Sequence, residues 1–351
     1  MQVTLNQAAT LVRTIGTTNT LLLRGAPGVG KSSILKQIAR ELPDYLPCYV
    51  DVANLDLGDL GMPVIDRESM TTAYAPNTRF GIGKGQTRPV LLMLDELGKA
   101  SRPVLNMLLP VILEHRLGDV ELPRGSIVFG TTNLDTDGVG DNIPAHAFNR
   151  MTVMDVANPT ADEWLGWAIQ NSIAPEVMAF AREYPQVFER YDLIDPKEKN
   201  PYIFSPLTGN TKAFCSPRSL EKASNIVARR EQLGDALLPA LAGTVGESAA
   251  RDLEANVMLA DSMPRFTDII AKPETCALPR SVGAYFLMAF SLAARATEDN
   301  IEAVMTYSNR FDSFEAQALF LTTLASNKNK VGMACKCSAF TRTAAKFGKF
   351  F

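Results

Sequence analysis

The sequence predicts an α/β fold, with a parallel β-sheet in the first half of the chain and helices in the second half. Short apolar runs alternate with segments of helical periodicity up to about residue 157, which is typical of parallel strands joined by crossover helices. A glycine-rich segment directly follows the first apolar run. Beyond residue 158, strand-like runs become scarce and helical patterns dominate.

Five strands are predicted in the first half. Their apolar residues are consecutive rather than alternating, which indicates strands that are covered on both faces. The predicted strands span residues 20–24, 49–52, 90–94, 126–130 and 151–156. After the first strand and the glycine-rich segment, apolar residues between Ile34 and Leu42 repeat at helical spacing, so a helix is expected there.

The second half is predicted to be helical, with one long loop and one linker. Helices are expected over residues 161–173, 175–184 and 217–233, a loop over 193–214, and a linker marked by Pro264, Pro273 and Pro279. Further helices follow the linker. These features divide the chain into three predicted domains: an α/β domain over residues 1–157, a helical domain over 158–262, and a C-terminal helical extension over 263–351.

Composition excludes several classes of protein. With 46% hydrophobic and 21% charged residues, the chain can form a packed core, unlike a disordered protein. The net charge of -3 produces no overall attraction to nucleic acid or anionic lipid. The longest charge-free apolar stretch, residues 281–294, is shorter than the roughly 20 residues that cross a bilayer. The N-terminal segment has no basic region followed by an apolar core, so no secretion signal is predicted.

Cysteine usage favours a cytoplasmic protein without a cysteine-bound metal. The chain has five cysteines, an odd number that fits reduced thiols better than a disulfide scaffold. Cys335 and Cys337 form a C-x-C pair, but there is no second pair and the chain has only two histidines. A structural zinc site needs four ligands, so none is expected here.

The glycine-rich segment carries the strongest functional signal. Residues 25–32 fit the P-loop pattern G-x-x-x-x-G-K-[ST], with a predicted strand before it and a helix after it. Amides of such a loop point at phosphate oxygens, and the helix N-terminus adds the positive end of its dipole. Lys31 is expected to reach the β- and γ-phosphates, and Ser32 to bind Mg²⁺. The candidate nucleotide-binding residues are Gly25, Ala26, Pro27, Gly28, Val29, Gly30, Lys31, Ser32 and Ser33.

Polar residues at the ends of two further strands suggest hydrolysis of the nucleotide. The third strand ends in Asp95 and Glu96, at the sheet edge where open α/β sheets bind ligands. Asp95 is expected to hold Mg²⁺, and Glu96 to act as the base that polarises an attacking water. Asn133, which follows the fourth strand, is expected to orient that water. Because a hydrolase needs only a positioned water and a base, this set favours ATP hydrolysis over phosphoryl transfer to another acceptor.

Taken together, these motifs resemble those of AAA+ ATPases. More narrowly, the chain is similar to the MoxR group found in bacteria and phages. The narrower match rests on residues 59–64, 116–118, 137–140, 149–150 and 215–218. The resemblance covers about residues 5–260 well and the last part of the chain weakly.

The resemblance implies an architecture and two further site residues. It implies a P-loop AAA+ core with a five-stranded sheet in the order 5-1-4-3-2, an all-α lid over residues 158–262, and assembly into a hexameric ring. Arg150 matches the arginine finger, which reaches the ATP site of the neighbouring subunit. Arg218 matches the lid arginine that contacts the γ-phosphate in its own subunit. Hairpins facing the ring pore are implied within residues 57–85 and 116–124.

The function that the resemblance implies is an ATP-hydrolysing ring that remodels a separate partner protein in a bacterial cytoplasm or a phage-infected cell. In this family the partner often carries a von Willebrand factor A domain. A nucleic-acid motor is one alternative, because the last 24 residues hold six basic residues, no acid and interleaved phenylalanines. The same tail also fits a helix that buries its phenylalanines beneath solvated lysines. A scaffold that binds nucleotide without hydrolysing it is the other alternative, and the presence of Glu96 argues against it.

Overall fold

The computed structural model describes residues 2–83, 85–134, 143–194, 200–205 and 213–348. Residues 137–140, Lys84, Lys349, Phe350 and Phe351, which entered the predictions above, lie outside the described part. The chain forms two compact units, Met1–Asn158 and Pro159–Phe351.

The first unit contains a six-stranded parallel sheet and two small hairpins. Its strands are β1 (Gln2–Val3), β2 (Leu21–Arg24), β3 (Leu46–Asp51), β4 (Gly61–Asp66), β5 (Thr71–Pro76), β6 (Val90–Asp95), β7 (Arg116–Leu117), β8 (Val120–Glu121), β9 (Ile127–Thr132) and β10 (Thr152–Val156). The main sheet has the order β1-β10-β2-β9-β6-β3, and all its described pairs are parallel.

The predicted α/β class and the order 5-1-4-3-2 are confirmed, but the sheet has one strand more than predicted. The additional strand, β1, pairs with β10 at the sheet edge through its only two residues. A two-residue strand is too short to produce a recognisable pattern. The second strand also begins earlier than predicted, at Leu46 rather than residue 49. It is the outermost strand, and its alternating exposure hides it from a search for continuous apolar runs.

Helices cover both faces of the sheet. The helices of this unit are α1 (Leu5–Ile15), α2 (Ser33–Glu41), α3 (Arg102–Glu114) and α4 (Ala145–Phe148). Leu21 and Leu23 of β2 pack in one buried cluster with Ile38 of α2. Leu22, which points to the other face, packs in a second cluster with Leu105 of α3. The consecutive apolar residues of the central strands thus serve two separate layers of core.

Both expected hairpins are present. Strands β4 and β5 pair antiparallel within residues 57–85, and β7 and β8 pair antiparallel within residues 116–124. The first hairpin contacts the turn of the second, because the backbone N–H of Tyr74 donates to the Asp119 carboxylate at 3.2 Å. The first hairpin also exposes several large apolar side chains, namely Met62, Val64, Ile65 and Met70.

The described residues of the second unit form helices joined by turns and loops, without a β-strand. Its helices are α5 (Ala161–Gln170), α6 (Pro175–Glu183), α7 (Pro217–Val227), α8 (Arg230–Leu233), α9 (Leu237–Val245), α10 (Glu247–Ser262), α11 (Phe266–Ala271), α12 (Val282–Arg295), α13 (Ile301–Ser308), α14 (Phe314–Ser326), α15 (Val331–Lys336) and α16 (Ser338–Lys346). The helix predicted to continue to residue 233 instead ends at Val227, and α11 forms inside the predicted linker.

The C-terminal part of this unit shares a helix with the part before it. Two buried clusters occur, and α12 contributes Phe290 to the first and Met288 to the second. The tail of the chain also belongs to the second cluster, which buries Phe340 and Phe347. Their rings are thus used in packing, which agrees with the structural interpretation of the basic tail. No helix among the described residues has the length and apolar character needed to cross a membrane.

Candidate functional site

The P-loop lies between β2 and α2 and owes its shape to two glycines. Gly28 and Gly30 have φ angles of 78° and 112°, in a region that side-chain-bearing residues rarely adopt. Val29, between them, is buried and anchors the loop. Helix α2 begins at Ser33, so its N-terminal N–H groups follow directly from the loop. This strand–loop–helix arrangement leaves amides and a helix dipole available to an anion.

The P-loop lysine is buried, and its side chain links the P-loop to the predicted site residue Asn133. Only 8% of Lys31 is exposed. Its Nζ donates to the carbonyl oxygens of Gly25 and Ala26, the latter at 3.1 Å, and to Oδ1 of Asn133 at 3.2 Å. The ammonium group is therefore held across the loop by the asparagine that follows β9.

Asp95 is the centre of a hydroxyl-rich contact set at the end of β6. Its Oδ2 accepts hydrogen bonds from Ser32 Oγ at 3.1 Å and from the Tyr49 hydroxyl at 2.8 Å. Its Oδ1 accepts a hydrogen bond from the Thr131 hydroxyl. Asp95 is 7% exposed, and these three donors compensate the loss of water around its carboxylate.

Glu96 follows in an unusual backbone conformation. Its φ of 54° lies in the left-handed region, which costs a glutamate conformational energy. The Glu96 N–H donates to Thr131 Oγ1 at 3.3 Å, so Thr131 contacts both acids. The Glu96 carboxylate accepts a hydrogen bond from Lys99 Nζ at 2.7 Å and remains partly exposed. The backbone turn therefore separates the two acids, with Asp95 facing Ser32 and Glu96 facing solvent and Lys99.

The residues present fit Mg²⁺ bound together with a nucleotide. Ser32 Oγ and Asp95 Oδ2 supply oxygen ligands on neighbouring elements, and Mg²⁺ prefers such hard ligands together with phosphates and waters. Asp51, which is in register with Asp95 on the next strand, has a buried Oδ1 without a hydrogen-bond partner. Among the described residues no group of three or more histidine, cysteine or acidic side chains forms a metal site. The arrangement thus lacks a metal cage made of protein side chains alone.

Three residues that contact the site acids were not predicted from the sequence: Tyr49, Thr131 and Lys99. Burial and the hydrogen bond to Asp95 raise the pKa of Tyr49, so its hydroxyl donates at neutral pH. The position of Thr131 at the end of a buried strand, next to the predicted Asn133, was a usable signal. Tyr49 and Lys99 had no such signal, because their partners become apparent only in the folded sheet and turn.

The two predicted arginines are exposed residues of different units. Arg150 is exposed just after α4, and its backbone N–H donates to the Ala147 carbonyl at 3.1 Å. No described hydrogen bond or ion pair joins Arg150 to the P-loop. Arg218 belongs to the second unit, where it is exposed in the first turn of α7. That turn is fixed by Pro217 and by the capping box of Ser216 and Ser219.

Comparisons with known proteins identify the domain that carries the site. Residues 21–154 match the model of the ATPase family associated with various cellular activities (AAA). The chain therefore contains an AAA ATPase domain, which includes the P-loop, Asp95, Glu96 and Asn133. No curated protein matches the sequence significantly.

Two solved structures to which the chain is similar are the following. The RuvB Holliday junction branch migration motor of Thermotoga maritima is 16% identical, with 77% of this chain and 75% of that chain covered and a TM-score of 0.39. NtrX from Brucella abortus, in complex with ADP, is 14% identical, with 99% of this chain and 67% of that chain covered and a TM-score of 0.40.

Proposed function

We propose that this protein binds ATP with Mg²⁺ and hydrolyses it at the carboxyl edge of the main sheet. One observation carries the proposal: the fold gathers Lys31, Ser32, Asp95, Glu96 and Asn133 around the mouth of the P-loop. These residues come from the ends of two strands and from one loop, yet contacts link four of them in two pairs, Lys31 with Asn133 and Ser32 with Asp95. ATP hydrolysis requires a phosphate-binding loop, an acid that binds the metal and a second acid that can act on water. Here the second acid is partly exposed.

Each residue has a role that follows from its position. Lys31 exchanges its present carbonyl and amide partners for the β- and γ-phosphates, and its charge stabilises the negative charge there. Ser32 and Asp95 hold Mg²⁺, which neutralises phosphate charge when bound. Glu96, free of the contacts that hold Asp95, accepts a proton from the attacking water. Asn133 orients that water beside the γ-phosphate.

The proposal is tested by Lys31→Ala, which should abolish ATP binding and phosphate release. The lysine is the cation that the loop directs at the phosphates, so its loss removes both affinity and charge stabilisation. Lys36→Ala, which changes an exposed lysine on α2, the helix that follows the P-loop, is the matched control and should behave as wild type. Fluorescent-nucleotide titration and a phosphate-release assay measure the two effects. A wild-type protein that neither binds nor hydrolyses ATP would overturn the proposal.

We further propose a MoxR-like hexameric ring in which Arg150 completes the neighbouring subunit's site. Support comes from the exposure of Arg150 and from the match of its surroundings to the MoxR pattern. The ring would remodel a separate client, such as a protein with a von Willebrand factor A domain. The exposed apolar side chains of the β4–β5 hairpin support a contact with other proteins. The five free thiols agree with a reducing, cytoplasmic setting.

The proposed lid comprises residues 158–262, followed by the extension over 263–351, and Arg218 is its sensor of the γ-phosphate. Arg218→Ala is expected to weaken ATP binding about 10- to 150-fold, the equivalent of one charge-assisted contact of about 1.5–3 kcal/mol, and to leave ADP binding nearly unchanged. ADP offers nothing at that position, so the loss should be selective. Arg229→Ala, beyond the other end of α7, is the control. Calorimetric titration with both nucleotides measures the difference, and an equal loss for ATP and ADP would contradict the sensor role.

A further inference from the structure

Tyr49 reaches the candidate site from the outermost strand of the sheet. It lies on β3, two residues before the strand ends at Asp51, and 51% of the residue is exposed. Its hydroxyl nevertheless donates to Oδ2 of Asp95 at 2.8 Å. A half-exposed ring adds little to core packing. Tyr49 therefore acts on the site through the hydrogen bond of its hydroxyl to Asp95.

The contact concerns the oxygen of Asp95 that faces the P-loop. Oδ1 of the same carboxylate is already held by the Thr131 hydroxyl, from β9 on the other side of β6. Oδ2 accepts from Ser32 and from Tyr49. Ser32 is itself a proposed Mg²⁺ ligand and belongs to the P-loop, so it is not an independent support. Tyr49 is the support that Oδ2 receives from the rigid sheet.

Strand pairing fixes this support in place. Strands β3 and β6 are in parallel register over six pairs, from Leu46 opposite Val90 to Asp51 opposite Asp95. Tyr49 and Asp51 are two residues apart and therefore lie on the same face of β3. Together with Thr131, Tyr49 thus braces the Asp95 carboxylate from the two strands that flank β6.

We propose that Tyr49 is a positioning residue that holds Asp95 in the orientation that binds Mg²⁺. The inference rests on the proposed function, because it assumes Mg²⁺ between Ser32 and Asp95. Partners that orient a metal ligand generally contribute about 10- to 100-fold to metal affinity or activity. Since Thr131 remains, we expect the lower end of that range for loss of the Tyr49 hydroxyl.

The test is Tyr49→Phe, which removes only the hydroxyl. ADP affinity is measured by calorimetry in EDTA and at increasing Mg²⁺, and ATP turnover is measured over the same Mg²⁺ series. We expect unchanged ADP affinity in EDTA and near wild-type turnover at saturating Mg²⁺. The Mg²⁺ concentration that gives half of the full gain in ADP affinity, and half of the maximal turnover, should rise about 10-fold. Tyr45→Phe, beside the opposite end of β3, is the matched control and should show none of these changes.

The outcomes separate this inference from the proposed function. Wild-type nucleotide binding and turnover that do not depend on Mg²⁺ would overturn the proposed Mg²⁺ site itself. A wild type that depends on Mg²⁺ together with an unshifted Tyr49→Phe would overturn only the role of Tyr49. Lower turnover at saturating Mg²⁺, with a reduced melting temperature and no shift in the Mg²⁺ series, would assign Tyr49 a merely structural role.

Discussion

Glu96→Gln is expected to bind ATP as tightly as wild type and to hydrolyse it about 10²- to 10⁴-fold more slowly, the range for loss of a general base. The amide keeps the size of the side chain but cannot accept the proton of the attacking water. Nucleotide affinity should persist, because Lys31, Ser32 and Asp95, which are the proposed ligands of the phosphates and Mg²⁺, are unchanged. Single-turnover hydrolysis and nucleotide titration separate the two quantities.

Stability should be nearly unaffected by this substitution. The variant loses the ion pair with Lys99, but both partners are partly exposed, and such pairs contribute about 1 kcal/mol or less. Glu114→Gln, which affects the exposed pair with Arg116, is the matched control and should hydrolyse ATP normally. Wild-type turnover in Glu96→Gln would show that another group is the base.

The backbone at Glu96 gives a physical reason why this acid differs from its neighbour. Two acids that continued one strand would point to opposite faces of the sheet. The left-handed turn at Glu96 instead ends the strand and frees its side chain from the hydrogen bonds that hold Asp95. Thr131 supports this turn by accepting the Glu96 N–H while its own hydroxyl donates to Asp95. Such strained conformations persist only where surrounding contacts impose them.

The central sheet could be predicted because each of its two faces packs against a separate layer of buried side chains. All six residues of β6 are buried, and the five that precede Asp95 form a continuous apolar run. The P-loop was predictable for a different reason: its glycines, lysine and serine are close in sequence, so spacing alone specifies the geometry. In contrast, β1 depends on an edge that β10 offers only after folding.

The missed site contacts depend on tertiary structure. The bond between Tyr49 and Asp95 requires β3 to lie beside β6, and the order of strands was implied by a family resemblance rather than by residue pattern. Lys99 meets Glu96 because a short helical turn, Leu97–Lys99, follows the strand end. A lysine three residues after an acid is too common in sequences to indicate such a contact.

Arg150→Ala is expected to reduce ATP turnover about 10³- to 10⁵-fold, the contribution of an arginine finger to phosphoryl transfer. Because the guanidinium would act on the neighbouring subunit's nucleotide, nucleotide binding by the variant's own P-loop should change little. Turnover per subunit of the wild type should also rise with protein concentration as rings form. Arg40→Ala, an exposed arginine on α2, is the matched control. Full activity of a wild-type monomer at nanomolar concentration would exclude action between subunits.

A mixture of Arg150→Ala and Lys31→Ala subunits tests this action directly, because each variant supplies what the other lacks. A site is complete where the P-loop of an Arg150→Ala subunit meets the arginine of a Lys31→Ala neighbour. In a head-to-tail ring with equal, random mixing, about a quarter of the interfaces have that arrangement, so turnover per subunit should recover to about a quarter of wild type. Each variant alone should remain inactive at the same total concentration. An inactive mixture whose rings contain both variants, as mass spectrometry can establish, would place Arg150 outside the shared site.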